Sequence, residues 1–340
     1  MRIKFLLPVL FLIFFFPFSD PARASGHLTV LSGRTMGTFY TVKFISRKKE
    51  SPDLWKRKID ICLKEVNARL SMYDPKSEIS RFNRHPAHEP FKISRDFSEV
   101  LTRSRQIYDL SSGAWDGTVK PLVDLWGFGT RDRADDLPTP EAVSKALEQT
   151  GFNKLILKNQ TLTATAPHIT LDLGSIAKGY GVDILARLLK SSGIENFLVE
   201  VGGELSGSGK NKKGKPWAVG ISRPEKKGPA QGLYEIISLD NMAIATSGNY
   251  RNFFVKDGKS YSHIIDPKTG YPVENRVVSA SVIAPDCTFA DGLATALMVM
   301  EVDRGIEMIN HIDQVECLII KKQGEAFVNL RSDGFRNFEQ

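Results

Sequence analysis

The chain has 340 residues, 41% of them hydrophobic and 25% charged, with a formal net charge of +7. That length and balance provide one large domain or two modest ones with an ample core, and they exclude an intrinsically disordered chain. The positive excess does not amount to a nucleic-acid surface: its densest run, Lys210, Lys212, Lys213 and Lys215, sits in a glycine-rich loop with no basic face interleaved with aromatics.

The first residues read as a targeting segment. Arg2 and Lys4 precede an apolar run from Phe5 to Phe18, broken by Pro8 and Pro17, and Ala22-Arg23-Ala24 offers a small-residue cleavage site before Ser25. The run falls short of the roughly 20 apolar residues that a spanning helix needs. Residues 1–24 are expected to be a signal peptide and 25–340 a single exported domain. The mature chain would be periplasmic, or held at the inner membrane if the segment is not cleaved.

Leu28 to Ile45 predicts two strands with a turn at Arg34-Thr35-Met36-Gly37. Asp53 to Leu70 places Leu54, Ile61, Leu63, Val66 and Leu70 at helical spacing, and Asp96 to Leu110 does so with Phe97, Val100, Leu101, Ile107 and Tyr108. Asp132 to Pro140 is the most linker-like stretch, ending in Thr139-Pro140, an N-cap followed by proline at the first helical position. Asn159-Gln160 lies between two short strands as a hairpin turn. Ser175 to Lys190 is a strongly periodic helix stopped by Gly193, and Phe197 to Val282 is strand-rich with glycine-containing turns. A helix from about Asp286 to Glu301, a short helix and two strands complete the chain. Antiparallel runs interrupted by a few helices indicate the α+β class, with no internal repeat. Cys62, Cys287 and Cys317, odd in number and widely spaced, form no disulfide framework or zinc site and read as small buried hydrophobes, one bridge among them staying open.

Four segments carry chemistry. Val201-Gly202-Gly203-Glu204 through Lys210 looks like a phosphate loop, but its second glycine is one position late, Asn211 stands where a hydroxyl is needed, and a strand follows. A tight hairpin, or a close backbone approach to a ligand, explains it better. Asp291 and Thr295 are four apart on the 286–301 helix, so both oxygens project from one face, which is how a hard cation such as Mg²⁺ is commonly held. Their apolar neighbours, Ala290, Gly292, Leu293, Ala294, Ala296 and Leu297, argue against a solvated face. At Leu171 to Tyr180 a strand is expected to deliver Asp172, Gly174 permits a turn, and a helix N-terminus with Lys178 offers positive charge to an anion. His263, at a strand end before Asp266-Pro267-Lys268-Thr269-Gly270, is the candidate proton shuttle, whereas His85 and His88 read as surface.

Together these segments resemble the ApbE family. The stretches that carry the resemblance are Met36 to Tyr40, Leu70 to Asn83, Gly113 to Thr118, Asp172 to Gly179, Val201 to Glu204, Ala245 to Tyr250, Ser262 to Pro272 and Ala290 to Thr295. The resemblance implies a T-fold-related α+β domain with FAD as substrate in a cleft, contacted by Met36, Tyr73, Ala114, Trp115, Asp116, Asp172, Lys178 and Ile265. It also implies Mg²⁺ on the Asp291 and Thr295 side chains and the Ser175 carbonyl. The implied reaction moves FMN from FAD onto a threonine or serine of an exported acceptor, a flavoprotein subunit of a membrane redox complex, and releases AMP. His263 and Asp291 would handle the proton. With water as nucleophile the same scaffold would be an FAD pyrophosphatase. A non-catalytic FAD-binding protein would not need Asp291 and Thr295 together. No nucleic-acid partner is expected, and association with a membrane surface is compatible with the charge.

Overall fold

The computed structural model describes residues 26–130, 136–224, 232–250, 252–324 and 326–340. The expected signal peptide and positions 132–135 of the linker-like stretch lie outside the described residues. Eight strands form one antiparallel sheet, in the spatial order His27–Thr35, Thr38–Ser46, Asn196–Val201, Glu204–Ser208, Met242–Gly248, Val277–Ala284, Glu316–Gln323 and Ala326–Arg331. The α+β expectation holds.

That order hides a repeat. A strand pair, a helix and a second strand pair recur twice: 27–46, Gly174–Ser191 and 196–208, then 242–284, Cys287–Val299 and 316–331. In both units the second strand pairs with the first strand after the helix. The repeat is one of connectivity, carried by the hydrogen-bonding pattern rather than by matching residues. The first unit also carries an insertion between its second strand and its helix, holding helices Pro52–Leu70, Glu78–Phe82, Arg95–Leu110, Lys120–Leu125 and Pro140–Glu148 with a small three-stranded sheet.

The central strands of the large sheet are buried on both faces. Val42, Phe44, Phe197, Val199 and Val201 pack against the helices Pro52–Leu70 and Gly174–Ser191, while Ile45 and Leu198 join the opposite face under the hairpin Trp217–Ser222/Leu233–Leu239. Period-two alternation with two apolar environments is what makes these strands read as nearly continuous hydrophobic runs. Each large aliphatic side chain sealed this way contributes on the order of 1.5–3 kcal/mol.

Local signals produced the expected elements. Ser51 and Thr139 cap their helices, accepting from the N–H groups of Leu54 and Ala142, each with proline next in the chain. Met36 and Gly37, and Asn159 and Gln160, take positive φ in two-residue hairpin turns. Helix Pro52–Leu70 nevertheless differs from the expected face: Trp55, Ile59, Leu63, Val66 and Leu70 are buried, whereas Leu54 and Ile61 are 44% and 58% exposed. Two overlapping apolar stripes fit this sequence, and contact with Phe44 selects the one bearing Trp55, 4.9 Å away between ring centroids. All three cysteines are free, with Cys287 and Cys317 buried.

Candidate functional site

The strands at the junction of the two units, Glu204–Ser208 and Met242–Gly248, pair only through Leu205–Ile244, Ser206–Ala243 and Gly207–Met242. Beyond Leu205 and Ile244 they part, and a cleft of about 520 Å³ opens there, within the usual range for small-molecule sites. Its walls are the two equivalent helices, the ends of the parted strands, the 114–119 loop of the insertion and the 263–267 turn.

The helix Cys287–Val299, here the aspartate helix, is fastened at its N-terminus by two carboxylates. Asp286 accepts from Phe289 N–H at 2.8 Å, and Asp183, from the neighbouring helix, accepts from the N–H groups of Cys287 and Thr288, each at 2.8 Å. Burial pushes Asp183 up to about 6, with the nearby Asp286 charge adding to the effect and the three donors, including the Thr288 hydroxyl, opposing it. The helix Gly174–Ser191, here the lysine helix, crosses it at Gly179. A Cβ at Gly179 would fall 2.3 Å from the Cys287 carbonyl oxygen and 2.9 Å from Asp291 Cβ, so only glycine permits this approach.

Through that contact Gly179 N–H donates to Asp291 Oδ2 at 3.0 Å. The carbonyl of Ser175, four residues back on the cleft wall, has two lone pairs, so it retains acceptor capacity beside any helix bond. Asp291 is 2% exposed, and Thr295, one turn on, exchanges a 2.9 Å hydrogen bond with the Ser247 hydroxyl of the parted strand. The expected pair thus lies on one helical face, in a polar notch of an otherwise apolar helix.

Lys178 projects into the same notch. Its Nζ is 2.9 Å from Glu204 Oε1 and 3.6 Å from Asp291 Oδ1. Burial alone would lower the Lys178 pKa, but the charges of Asp291 and Glu204 outweigh it and hold the ammonium above its ordinary range. Burial raises Asp291 to about 7 against the pull of Lys178, and Glu204 adds to the rise.

On the far wall, His263 follows strand Lys259–Ser262. Its Nδ1 lies 3.0 Å from the Asn252 carbonyl oxygen, which only accepts, so Nδ1 carries the proton and Nε2 is left as the basic nitrogen. Burial lowers the ring's pKa, with Lys178 adding to the effect and the Asn252 bond opposing it, so the ring is neutral at neutral pH. The turn after it is pinned by the Ile265–Pro272 bridge and by Trp126 Nε1–H donating to the Gly270 carbonyl at 2.8 Å.

Most of the expected residues converge. Tyr73, Ala114, Trp115, Asp116, Asp172, Ser175, Lys178, His263, Ile265, Asp291 and Thr295 line this one cleft, with Ile264 beside Ile265. Met36 does not: from its positive-φ turn it packs between two hydrophobic clusters, its sulfur against Gly181. Asp116 lines the wall with its carboxylate already occupied, Oδ1 by Thr118 N–H at 2.7 Å and Oδ2 by Phe152 N–H at 3.0 Å. Asp172 is not delivered by a strand. The Asn83 side-chain amide brackets both main-chain groups of Leu171, and Asp172 N–H donates to the Gly117 carbonyl, so the segment is held in place outside any strand. The glycine-rich lookalike is a hairpin whose turn glycines, Gly202 and Gly203, have φ of 67° and 110°. His85 is half-buried rather than surface, with a sealed Nε2 and its ring 5.1 Å from that of Phe91. Glu204 was legible only as part of a quoted motif, and Asp183 carried no signal because its partners lie more than a hundred residues away.

No group of three or more His, Cys, Asp or Glu side chains gathers for a metal among the described residues. The available donors are one carboxylate, one hydroxyl and one main-chain carbonyl, a sparse hard-oxygen set that suits a cation keeping several of its ligands from water and phosphate. The residues therefore fit Mg²⁺ and do not fit zinc.

Fold and cleft together define an α+β enzyme-type scaffold, in which acid, base and hydroxyl groups meet in one pocket between two equivalent helices. The profile described as the ApbE family matches residues 36–319, and the chain belongs to that family. The FAD:protein FMN transferase of Vibrio cholerae is 44% identical over 310 residues, covering 91% of this chain and 92% of that one. The protein of the same name from Haemophilus influenzae is 39% identical, covering 91% of each. The solved structure "Flavin Transferase ApbE from Vibrio cholerae" superposes with a TM-score of 0.84 at 42% identity, covering 92% of this chain and 99% of that one.

Proposed function

We propose that this chain is an FAD:protein FMN transferase, attaching FMN through its phosphate to a threonine or serine hydroxyl of an exported acceptor and releasing AMP. The observation that supports it most is the convergence of Lys178, His263, Asp291 and Thr295 on one cleft that is also walled by Tyr73 and Trp115. Asp291, Thr295 and the Ser175 carbonyl would hold Mg²⁺. When bound, the cation would supply positive charge to the diphosphate oxygens and to the departing AMP phosphate.

The chain's own residues do the rest. Lys178 presents an ammonium to the diphosphate, Trp115 packs beside the ring system, and Tyr73, 75% exposed at the mouth, screens the phosphate from water. The acceptor hydroxyl attacks the FMN-side phosphorus, His263 Nε2 receives its proton, and the bridging oxygen leaves with its electron pair on AMP. The acceptor would be a protein met outside the cytoplasm, in keeping with the signal peptide expected at 1–24. Among the described residues no helix is long and apolar enough to cross a membrane.

Mass spectrometry of a candidate acceptor incubated with this protein, FAD and MgCl₂ tests the reading. A gain of one FMN, lost when the acceptor's threonine is replaced, is the expected result. Release of free FMN at the same rate with and without acceptor would assign a pyrophosphatase instead.

A further inference from the structure

Glu204 is the first residue after the Gly202-Gly203 turn and faces Lys178 across the cleft. It is 3% exposed; Oε1 accepts from Lys178 Nζ at 2.9 Å, and Oε2 is buried with no hydrogen-bond partner among the described residues. The turn presses on the pair: a Cβ at Gly202 would meet Lys178 Cδ at 3.1 Å and Glu204 Oε2 at 3.3 Å. Asp291 presents one oxygen to Gly179 N–H and the other, Oδ1, to the ammonium at 3.6 Å. One ammonium therefore stands between two buried carboxylates, and it bonds the one that is not a candidate cation ligand.

An ammonium closed on Asp291 would exclude a divalent cation twice, by occupying the oxygen and by like-charge repulsion at short range in a poorly solvated notch. We propose that Glu204 is a positioning residue that draws the Lys178 ammonium off Asp291, leaving Oδ1 open to Mg²⁺ and the ammonium turned toward the diphosphate. This rests on the Mg²⁺ reading of Asp291 and Thr295. Glu204 acts on the cation through Lys178, so distance as well as charge matters: one methylene less places the carboxylate out of reach of the ammonium where it now lies.

Calorimetric titration of the ligand-free protein with MgCl₂ alone tests this without any turnover. Glu204→Gln and Glu204→Asp are both expected to weaken Mg²⁺ binding on the order of tenfold or more, the usual penalty for losing an outer-shell partner. Adding Lys178→Met to either is expected to restore most of the affinity, because the displaced ammonium is then gone. Wild-type affinity in Glu204→Asp beside a loss in Glu204→Gln would overturn the proposal, since net charge rather than position would then govern. Failure of Lys178→Met to restore binding would overturn it as well. If the wild type bound no Mg²⁺, or if Asp291→Ala bound it unchanged, the metal reading itself would fall. Should the variants not fold, ¹⁵N-detected NMR of the wild-type Lys178 ammonium serves: a sharp signal that shifts but persists through the MgCl₂ titration supports the pair, and its disappearance overturns it.

Discussion

At the scale of single residues, the site's chemistry depends on which protons are present near neutral pH. His263 is a base only when neutral, and burial lowers its pKa below the ordinary 6.5. At saturating Mg²⁺, turnover should therefore be flat through neutrality and fall as pH drops through that lowered value, because protonation removes the base. His263→Ala is expected to cost about 10²–10⁴-fold in kcat, to abolish this acid limb and to leave FAD affinity nearly unchanged. A pH–rate profile with equilibrium dialysis of FAD checks all three. Asp291 is shifted the other way, upward, yet its protonation also costs function on the acid side. Burial raises its pKa to about 7, so near and below neutrality part of the population carries a proton that Mg²⁺, on the proposed reading, would have to displace. Mg²⁺ affinity should then be constant well above 7 and weaken below it, toward about tenfold per pH unit. Calorimetry in two buffers of different ionisation enthalpy should register one proton released per ion in that window.

At the scale of elements, the site exists because two helices touch. The lysine helix approaches the aspartate helix through Gly179, and that contact delivers the N–H that fixes Asp291. Gly179→Ala would push its methyl into the Cys287 carbonyl oxygen. The expected cost is about 1–3 kcal/mol of stability, the range for overpacking a dense core, together with weaker Mg²⁺ binding. Urea denaturation followed by MgCl₂ titration reads both effects. A folded variant with unchanged Mg²⁺ affinity would mean that the crossing does not set the donor geometry. The aromatic wall has a comparable tie: Trp115 Nε1–H donates to Ser175 Oγ at 3.0 Å, joining the ring expected beside the flavin dinucleotide to the turn that bears the carbonyl donor.

At the scale of the whole molecule, the cleft is the seam between two units of the same connectivity. Their strands pair over three residue pairs and then diverge, so the seam is a natural opening in an otherwise continuous sheet. A ligand seated there touches both units and stabilises their junction by mass action, about 2.7 kcal/mol at a hundredfold excess over its dissociation constant. Hydrogen-exchange mass spectrometry with FAD and MgCl₂ should accordingly show added protection at 203–208 and 242–250 together. Little change is expected at 316–331, on the far edge of the second unit. Protection confined to one side of the seam would contradict a ligand that spans it.

How much of this was readable in the chain follows from the range of each interaction. The hairpin turns around Met36-Gly37 and Asn159-Gln160, the cap at Thr139, and the shared face of Asp291 and Thr295 depend on atoms within a few residues of one another. Composition and spacing therefore sufficed for them. The motif resemblance extended that reading to most of the cleft's lining. Tertiary structure alone decided the rest: that Trp55 and Ile59 rather than Leu54 and Ile61 face inward, that Met36 packs against two hydrophobic clusters, that Asp183 caps a helix 104 positions on, and that Glu204 claims the Lys178 ammonium. Each of these is a choice between partners brought together by sheet pairing and helix crossing. A charge or an apolar face contains no record of which distant neighbour the folded backbone will set against it.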